Sequence, residues 1–268
     1  MISNILIYVD DFKNLEDYRK AGCNAFLFAL DGYCVGYNTF SLEEIKEVKV
    51  SNKYIILNRV LDCKDIDNLK ELLNDLGDIK GIVFEDIGVY HLIKEMNLNV
   101  EMILFQNHFG TNSLSVNFWL ERVNSIFISN EITKEEIEKI NKDVKGEVVL
   151  HLFGYNQVMY SRRKLITNWS EEFAIPYKNQ NVIEDKATHV KFRAFENDFG
   201  TVMYSENIFN GKELLNLDKV KYYYVNPMLI DHDVVMDFLK DMNGHNGDGE
   251  DNGFLEKETI YKLKEKKK

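Results

Sequence analysis

Short apolar segments alternate with amphipathic segments along this chain, and that alternation limits its possible folds more than any other feature. The apolar segments contain few polar residues, which is typical of parallel strands covered on both faces. We predict eight strands: Ile5–Val9, Ala25–Ala29, Tyr54–Asn58, Gly81–Phe84, Glu101–Phe105, Ser125–Ile128, Val148–Phe153 and Val220–Val225. The helices predicted between them are Leu15–Ala21, Leu42–Val48, Asp65–Leu76, Val89–Met96, Lys134–Asn141 and Asp233–Met242. This pattern favours a (β/α)8 barrel of the TIM type over an open doubly wound sheet, which usually has fewer strands.

One insertion interrupts the alternation between the seventh and eighth predicted strands. Residues 190–205 predict a β-hairpin across Lys191–Tyr204, because alternating apolar residues flank a turn of Asn197, Asp198 and Gly200. A short helix is predicted after it, at Asn207–Asn216. We therefore expect the barrel with its hairpin to occupy residues 1–242.

The remaining residues predict a linker followed by a tail. Residues 243–253 are rich in Gly, Asn and Asp, which is typical of a flexible linker. For residues 254–268 two outcomes are open. Either the tail packs on this barrel or on a partner, or it stays loose. The side chains predicted to pack are Phe254, Leu255, Ile260, Tyr261 and Leu263.

Charge and cysteine content exclude several classes of protein. A net charge of −11 and a pI near 5.1 argue against a broad nucleic-acid-binding surface. The three cysteines, Cys23, Cys34 and Cys63, lack any CxxC or Cys/His spacing, so neither a disulfide framework nor a metal site is expected. The N-terminus lacks the basic region of a signal peptide, and no apolar run is long enough to cross a bilayer. These features predict a cytoplasmic protein with no membrane partner.

The segment from Glu147 to Trp169 is the most informative part of the chain. It predicts a buried strand that leads into a helix whose first turns carry Arg162, Arg163 and Lys164. This segment resembles the signature of peptidase family U32, the collagenase-like proteases and their relatives in RNA modification. The residues that match are Glu147, Gly154, Ser161, Arg163 and Asn168. The family's histidine is replaced by Phe153, and its two cysteines by Gln157 and Lys164.

The resemblance extends through most of the chain. It covers Asn58, Thr111-Asn112, Glu131 and the hairpin pattern from Glu196 to Ser205. Residues 251–261 resemble the end of the shorter of two paired U32 proteins of Gram-positive bacteria, which are linked to 5-hydroxylation of the wobble uridine in tRNA. That resemblance implies an accessory or substrate-positioning member of the pathway. A peptidase of unknown mechanism and a non-catalytic scaffold are the alternatives.

The same resemblance implies what this chain binds. A longer, cysteine-bearing U32 paralogue is the expected partner, and tRNA or a small dicarboxylate is the expected ligand. Because the family's cysteine ligands are missing, we expect no iron–sulfur cluster and no other cofactor in this chain.

Polar residues follow several predicted strands, where a barrel builds its site. They are Asn58, Glu85, Asp86, Asn107, His108 and Glu131. Glu85 and Asp86 should point to opposite faces, so at most one lines a pocket, and Asp86 is also placed to cap the following helix. Glu131 and Glu85 are catalytic candidates, although such carboxylates also serve as simple helix caps. Asn58, Thr111 and Asn112 are candidate substrate-binding residues.

His151 and the two arginines are the remaining candidates. His151 and Phe153 are two residues apart on one strand, so both are predicted to point to the same side. His151 can be a catalytic acid–base group or a structural histidine bonded to backbone. Arg163 and Arg162 suit a phosphate or a carboxylate, and a solvated charged surface is the alternative.

Overall fold

The computed structural model describes residues 4–106, 108–242 and 247–257. Those residues form a mixed α/β fold built on one large sheet. The strands are β1 (Ile5–Tyr8), β2 (Ala25–Ala29), β3 (Lys53–Leu57), β4 (Gly81–Phe84), β5 (Glu101–Leu104), β6 (Ser125–Ile126), β7 (Val148–Ser161), β8 (Gln180–Glu184), β9 (Lys191–Asn197), β10 (Gly200–Asn210), β11 (Val220–Val225) and β12 (Glu250–Asp251). The helices are α1 (Leu15–Lys20), α2 (Leu42–Glu47), α3 (Cys63–Leu72), α4 (Ile87–Glu95), α5 (Ser113–Leu120), α6 (Lys134–Asp143), α7 (Leu165–Glu172) and α8 (His232–Lys240).

The sheet places the predicted strands side by side in parallel. Its order is β6-β5-β4-β3-β2-β1-β11-β7-β10-β9-β8, and β12 pairs with β10. The strands from β6 to β7 in this order are all parallel, whereas β7, β10, β9 and β8 pair antiparallel. The continuous ladder is open between β6 and β7, where one isolated parallel bridge joins Phe127 to Val149. The carboxyl ends of the parallel strands therefore lie at one end of the sheet.

Burial of the strands explains why the chain adopts this arrangement. Every residue of β1, β2, β3 and β4 is buried, as expected for parallel strands covered on both faces. Helices such as α6 present one apolar side to the sheet, with Ile137 and Ile140 buried. The structure thus forms one core along the parallel strands.

Strand β7 is much longer than the sequence predicts. It runs from Val148 to Ser161 because β10 pairs with it antiparallel, for example at Val202 and Tyr160. The prediction of a helix beginning before Arg162 is therefore wrong, since α7 starts only at Leu165. The helix predicted at Asn207–Asn216 is also wrong, because β10 continues to Asn210 and only a short 3-10 turn follows.

Residues 247–257, which the composition assigns to linker and tail, lie against the sheet. Strand β12 pairs with Ile208 and Phe209 of β10. The N–H of Lys134 donates to the Leu255 carbonyl at 2.9 Å. Leu255 is 3% exposed, whereas Phe254 is 48% exposed. The other tail residues predicted to pack, Ile260, Tyr261 and Leu263, lie outside the described residues.

Within the described ranges, every helix is too short or too polar to cross a membrane.

Candidate functional site

Side chains at the carboxyl end of the parallel strands enclose a small cavity. Its lining residues are Tyr37, Phe105, Phe127, Ile128, Asn130, His151, Tyr155, Gln157, Tyr204, Tyr224 and Asn226. The free volume is ≈ 20 Å³, which is room for about one water molecule. The hydroxyls of Tyr37 and Tyr224 are 3.2 Å apart, and the Tyr204 hydroxyl donates to the Gly36 carbonyl at 2.5 Å. Four of the residues that line the cavity are therefore tyrosines: Tyr37, Tyr155, Tyr204 and Tyr224.

His151 lines this cavity with both ring nitrogens engaged by the protein. The side-chain amide of Asn130 donates to Nδ1 at 3.1 Å, and Nε2 lies 3.1 Å from the Phe153 carbonyl, to which it donates. Burial lowers the pKa of His151 to about 4. The imidazole is therefore neutral at neutral pH, with its proton on Nε2. Proton exchange with a substrate would first require one of these hydrogen bonds to break.

His151 and Phe153 lie on opposite sides of the sheet, contrary to the prediction. In the register of β11 with β7, Tyr224 pairs with His151 and Val225 pairs with Phe153, so Leu152 is an extra residue. A bulge of this kind shifts the alternation of side chains by one position. Phe153 consequently stacks on Phe238 of α8, with ring centroids 4.1 Å apart. Phe153, which the resemblance places at the family's histidine position, therefore packs beneath a helix.

Glu85 is the most perturbed carboxyl group in the described residues. Its Oε1 atom is buried and has no hydrogen-bond partner among those residues. Burial raises the pKa of Glu85 to about 8. The hydroxyl of Tyr160 is also buried. Burial raises the pKa of Tyr160, and a hydrogen bond with the Val60 backbone and the charge of Arg59 oppose this shift.

Glu85 thus carries a buried carboxyl group at the end of β4 whose Oε1 has no partner among the described residues. A carboxyl group with this pKa is largely protonated at neutral pH, so it can donate a hydrogen bond or release a proton. Of the three catalytic candidates, Glu85 has the surroundings that best suit proton transfer.

Two other strand-end residues are occupied within the protein. Asp86 caps α4 by accepting from the Gly88 N–H at 2.7 Å, as predicted, and it also accepts from the Leu61 N–H at 2.9 Å. Asn58 is fully buried. Its side-chain amide accepts from the N–H of Val35 and donates to the carbonyl of the same residue, each at 3.0 Å. Asn58 therefore holds the loop that follows β2.

The candidates near β5 and β6 lie on the surface. The Oε2 atom of Glu131 lies 3.0 Å from Nδ1 of His108, within hydrogen-bond distance. Asn112 caps α5 by accepting from the Ser115 N–H at 2.9 Å, and Thr111 beside it is exposed. Asn107, another predicted site residue, lies outside the described residues. These side chains are not assembled around the cavity that His151 lines.

The basic segment, Arg162–Lys164, connects β7 to α7. Arg162 lies 3.9 Å from Asp62, and Arg163 has no ion pair with any residue in the described ranges. Lys164 pairs with Asp198 at 2.7 Å, and this hydrogen bond raises the pKa of Lys164. Both arginines are exposed. Lys164, which the resemblance places at one of the family's cysteine positions, is therefore a surface ion-pair partner.

The hairpin fixes the start of α7 and so the position of the basic segment. Lys164 supplies no side-chain cap to α7. Glu196 of the hairpin instead accepts from the N–H groups of Ile166 and Thr167, at 2.7 and 3.1 Å. The hydroxyl of Thr201 accepts from the Leu165 N–H at 2.9 Å. The sequence offered Glu196 only as part of a resemblance, because a cap supplied from 30 residues away leaves no local signal.

Gly200 allows the hairpin to approach the end of β7. Its φ is +141°, and a Cβ there would lie 2.1 Å from the carbonyl oxygen of Ser161. Only glycine fits this contact. The Glu-x-x-x-Gly-Thr pattern thus builds the junction that presents Arg162 and Arg163.

Comparison with known proteins establishes the family. The sequence profile of peptidase family U32 matches residues 10–222, which is most of the chain. This chain therefore belongs to peptidase family U32. It is 25% identical over 206 residues to a protein named tRNA hydroxylation protein P2 from Bacillus subtilis (strain 168), which covers 70% of this chain and 66% of that protein.

Two further similarities are more distant. An "Uncharacterized protease MJ0090" of Methanocaldococcus jannaschii is 28% identical over 119 residues, covering 42% of this chain and 29% of that protein. The solved structure of the U32 peptidase Mk0906 gives a TM-score of 0.45 at 12% identity, covering 66% of this chain and 81% of the other. The chain thus spans just under two thirds of the Bacillus relative and less than a third of the Methanocaldococcus relative.

Proposed function

We propose that this member of peptidase family U32 is an accessory, substrate-positioning component of tRNA wobble-uridine 5-hydroxylation. The observation that carries the proposal is a contrast within one segment. Phe153, Gln157 and Lys164 stand where the resemblance to the family implies a histidine and two cysteines. Meanwhile Glu196 and Gly200 still build the junction that holds the basic segment. The name of the Bacillus relative supports the choice of pathway.

The proposed arrangement of the parallel strands is a closed (β/α)8 barrel over residues 1–242, with the hairpin inserted before its last strand. The bridge between Phe127 and Val149 supports closure, as does the hydrogen bond from the Ile128 N–H to the Val149 carbonyl at 3.1 Å. In such a barrel, sites form at the carboxyl ends of the strands. The cavity beside His151 and the carboxyl group of Glu85 would then share one mouth.

This chain is proposed to hold no iron–sulfur cluster. The cluster needs thiolates, and the residues at the family's cysteine positions do not fit it. Gln157 lies beside the cavity with an amide, and Lys164 is paired with Asp198. Cys23 and Cys34 are buried, and burial raises the pKa of each thiol to about 12, so both remain protonated. A longer, cysteine-bearing paralogue in the cytoplasm is the proposed source of the cluster.

The basic segment is the proposed contact for the substrate. Arg163 has no described acidic partner and Arg162 has only a distant one, so both guanidinium groups can engage a phosphate of tRNA or a small dicarboxylate. The other candidate substrate-binding residues have smaller roles in this proposal: Asn58, Asn112 and Thr111. The side-chain oxygens of Asn58 and Asn112 already accept hydrogen bonds from backbone N–H groups of the protein.

Two other functions remain as rivals. A peptidase would cleave proteins such as casein or gelatin, and its activity would have to survive repeated purification and depend on a residue such as Glu85, Glu131 or His151. A scaffold without a ligand would bind the paralogue but would show no dependence on the two arginines. Both rivals are therefore separated from the proposal by tests on the purified chain.

Binding of tRNA tests the positioning role. The double variant Arg162→Glu with Arg163→Glu should weaken binding of unmodified tRNA by about tenfold or more at moderate salt. The control is Lys139→Glu with Lys142→Glu on α6, which makes the same change in net charge at exposed positions. Equal binding by both variants would contradict the proposal. The assay should be repeated with the paralogue present, since the acidic chain is expected to contribute only part of the RNA contact.

A further inference from the structure

Strand β8 has an unpaired outer edge. In the sheet order it is the terminal strand after β9, and no described residue pairs with its other side. The N–H of Glu196 donates to the Asn179 carbonyl at 2.9 Å. Because antiparallel strands bond through alternate residues, the odd-numbered positions face β9, and the backbone groups of Gln180, Val182 and Glu184 point outward. An edge of this kind is a template for another strand.

Exposed apolar side chains lie along this edge. Val182 is 61% exposed and Ile183 is 38% exposed. They border an open groove of ≈ 510 Å³ between β8 and α7, whose apolar lining is Leu165, Ile166, Trp169, Val182, Ile183 and Met203. Trp169 is 48% exposed and Phe173 is 62% exposed. A contiguous apolar patch beside a free edge marks an interaction surface.

Charge favours a second copy of this chain as the occupant. The chain carries a net charge of −11, so two copies repel unless they meet at a surface with little charge. Residues 173–186 carry two basic and two acidic side chains, which leave no net charge: Lys178, Lys186, Glu184 and Asp185, of which Glu184 and Lys186 line the groove. Within β8 the only charge is Glu184. This edge is therefore a place where two acidic chains can approach closely.

We propose that β8 pairs antiparallel with β8 of a second copy about a two-fold axis at Val182. In this register Val182 lies opposite Val182 of the other copy, and Gln180 lies opposite Glu184, so like charges in the strand do not face each other. These three residues are the ones whose backbone groups point outward, and they supply three hydrogen-bonded pairs across the axis. The apolar side chains of the two grooves then form one continuous surface across the two copies.

Charge reversal at the axis tests this register. Light scattering and sedimentation of the full chain should show a concentration-dependent dimer. Val182→Glu and Val182→Lys each place like charges opposite each other, and each should raise the dimer dissociation constant by about tenfold or more. An equimolar mixture of the two variants should recover dimers, because Glu then faces Lys. Val234→Glu, at an exposed valine of α8, is the matched control and should remain dimeric.

Three results would overturn the proposal. They are a wild-type chain that stays monomeric at all concentrations, variants as dimeric as the wild type, and a mixture that fails to recover dimers. A wild-type monomer that instead binds a different protein through Val182 would overturn the proposal too, and would assign the edge to that partner. Circular dichroism of each variant confirms that it is folded.

Discussion

The carboxylate of Glu196 accepts a hydrogen bond from the backbone N–H of Thr167, which joins the hairpin to the first turn of α7. The same carboxylate accepts from the Thr167 hydroxyl and from the Ile166 N–H. Glu196 is only 2% exposed. One buried side chain therefore satisfies N–H groups that a helix leaves unpaired at its start.

Loss of this carboxylate should destabilise the insertion. Glu196→Ala leaves buried N–H groups without partners, so we expect the free energy of unfolding to fall by about 2 to 4 kcal/mol. Glu171→Ala, an exposed position on the same helix, is the control and should change it by less than about 0.5 kcal/mol. Urea denaturation measures both variants. Similar values for the two would show that Glu196 does not anchor α7.

Gly154 should tolerate no side chain. Its φ is +136°, and a Cβ would lie 2.5 Å from the Asn226 carbonyl oxygen. Gly154→Ala should therefore cost about 3 kcal/mol or more, since both backbone strain and a clash with backbone are involved. Gly22 also has a positive φ, +98°, but has open space around it. Gly22→Ala should cost about 1 kcal/mol, and thermal unfolding that ranks the two variants the other way would refute this description of β7.

Stability should depend on pH through Glu85. Burial raises its pKa to about 8, whereas an unfolded glutamate titrates near about 4.3. Between these values the folded state holds a proton that the unfolded state has released, so the free energy of unfolding falls as pH rises, by up to about 1.4 kcal/mol per unit. Glu85→Gln removes that loss.

Melting curves of Glu85→Gln and wild type from pH 5 to about pH 8 check this expectation. The Tm of the variant should rise relative to wild type across that range. Glu131→Gln, at an exposed glutamate, should follow wild type. Curves for Glu85→Gln that stay parallel to wild type would mean that the carboxyl group of Glu85 is not held protonated.

The segment after Met242 should stabilise the sheet through Leu255. Leu255 is buried and its neighbour Phe254 is half exposed, so Phe254 serves as the control for a substitution of Leu255. Leu255→Ala should cost about 2 to 3 kcal/mol, and Phe254→Ala about 1 kcal/mol or less. Truncation after Met242 should cost at least as much as Leu255→Ala, whereas truncation after Lys257 should cost less. If all four variants were as stable as the wild-type chain, the segment would not contribute to the stability of the fold.

Local features of the fold could be predicted, whereas features that join distant residues could not. The apolar segments give the parallel strands, and the cap of α4 by Asp86 follows from adjacent residues. The length of β7 depends on β10, whose partner residues lie 40 to 57 positions away in sequence, from the Ser161–Thr201 pair to the Phe153–Asn210 pair. The bulge at Leu152 depends on the register with β11. No pattern within β7 alone signals either feature.

The candidate site likewise has features that the sequence predicts and features that only the structure shows. Strand-end position identified Glu85, but only the structure shows that its Oε1 is buried without a described partner. The sequence predicted that His151 and Phe153 point to the same side of the strand, but the bulge places them on opposite sides. Arg162 and Arg163 were predicted on a helix, and they lie instead in the connection held by Glu196. The candidate residues could therefore be chosen from their type and position in the sequence, whereas their contacts are known only from the structure.

Nucleoside mass spectrometry of total tRNA tests the central claim most directly. A strain in which the gene for this chain is deleted should lose 5-hydroxyuridine derivatives at the wobble position, and a plasmid copy should restore them. The Arg162→Glu, Arg163→Glu double variant should fail to restore them, whereas the Lys139→Glu, Lys142→Glu control should succeed. Unchanged levels of these nucleosides in the deletion strain would contradict a role in tRNA hydroxylation.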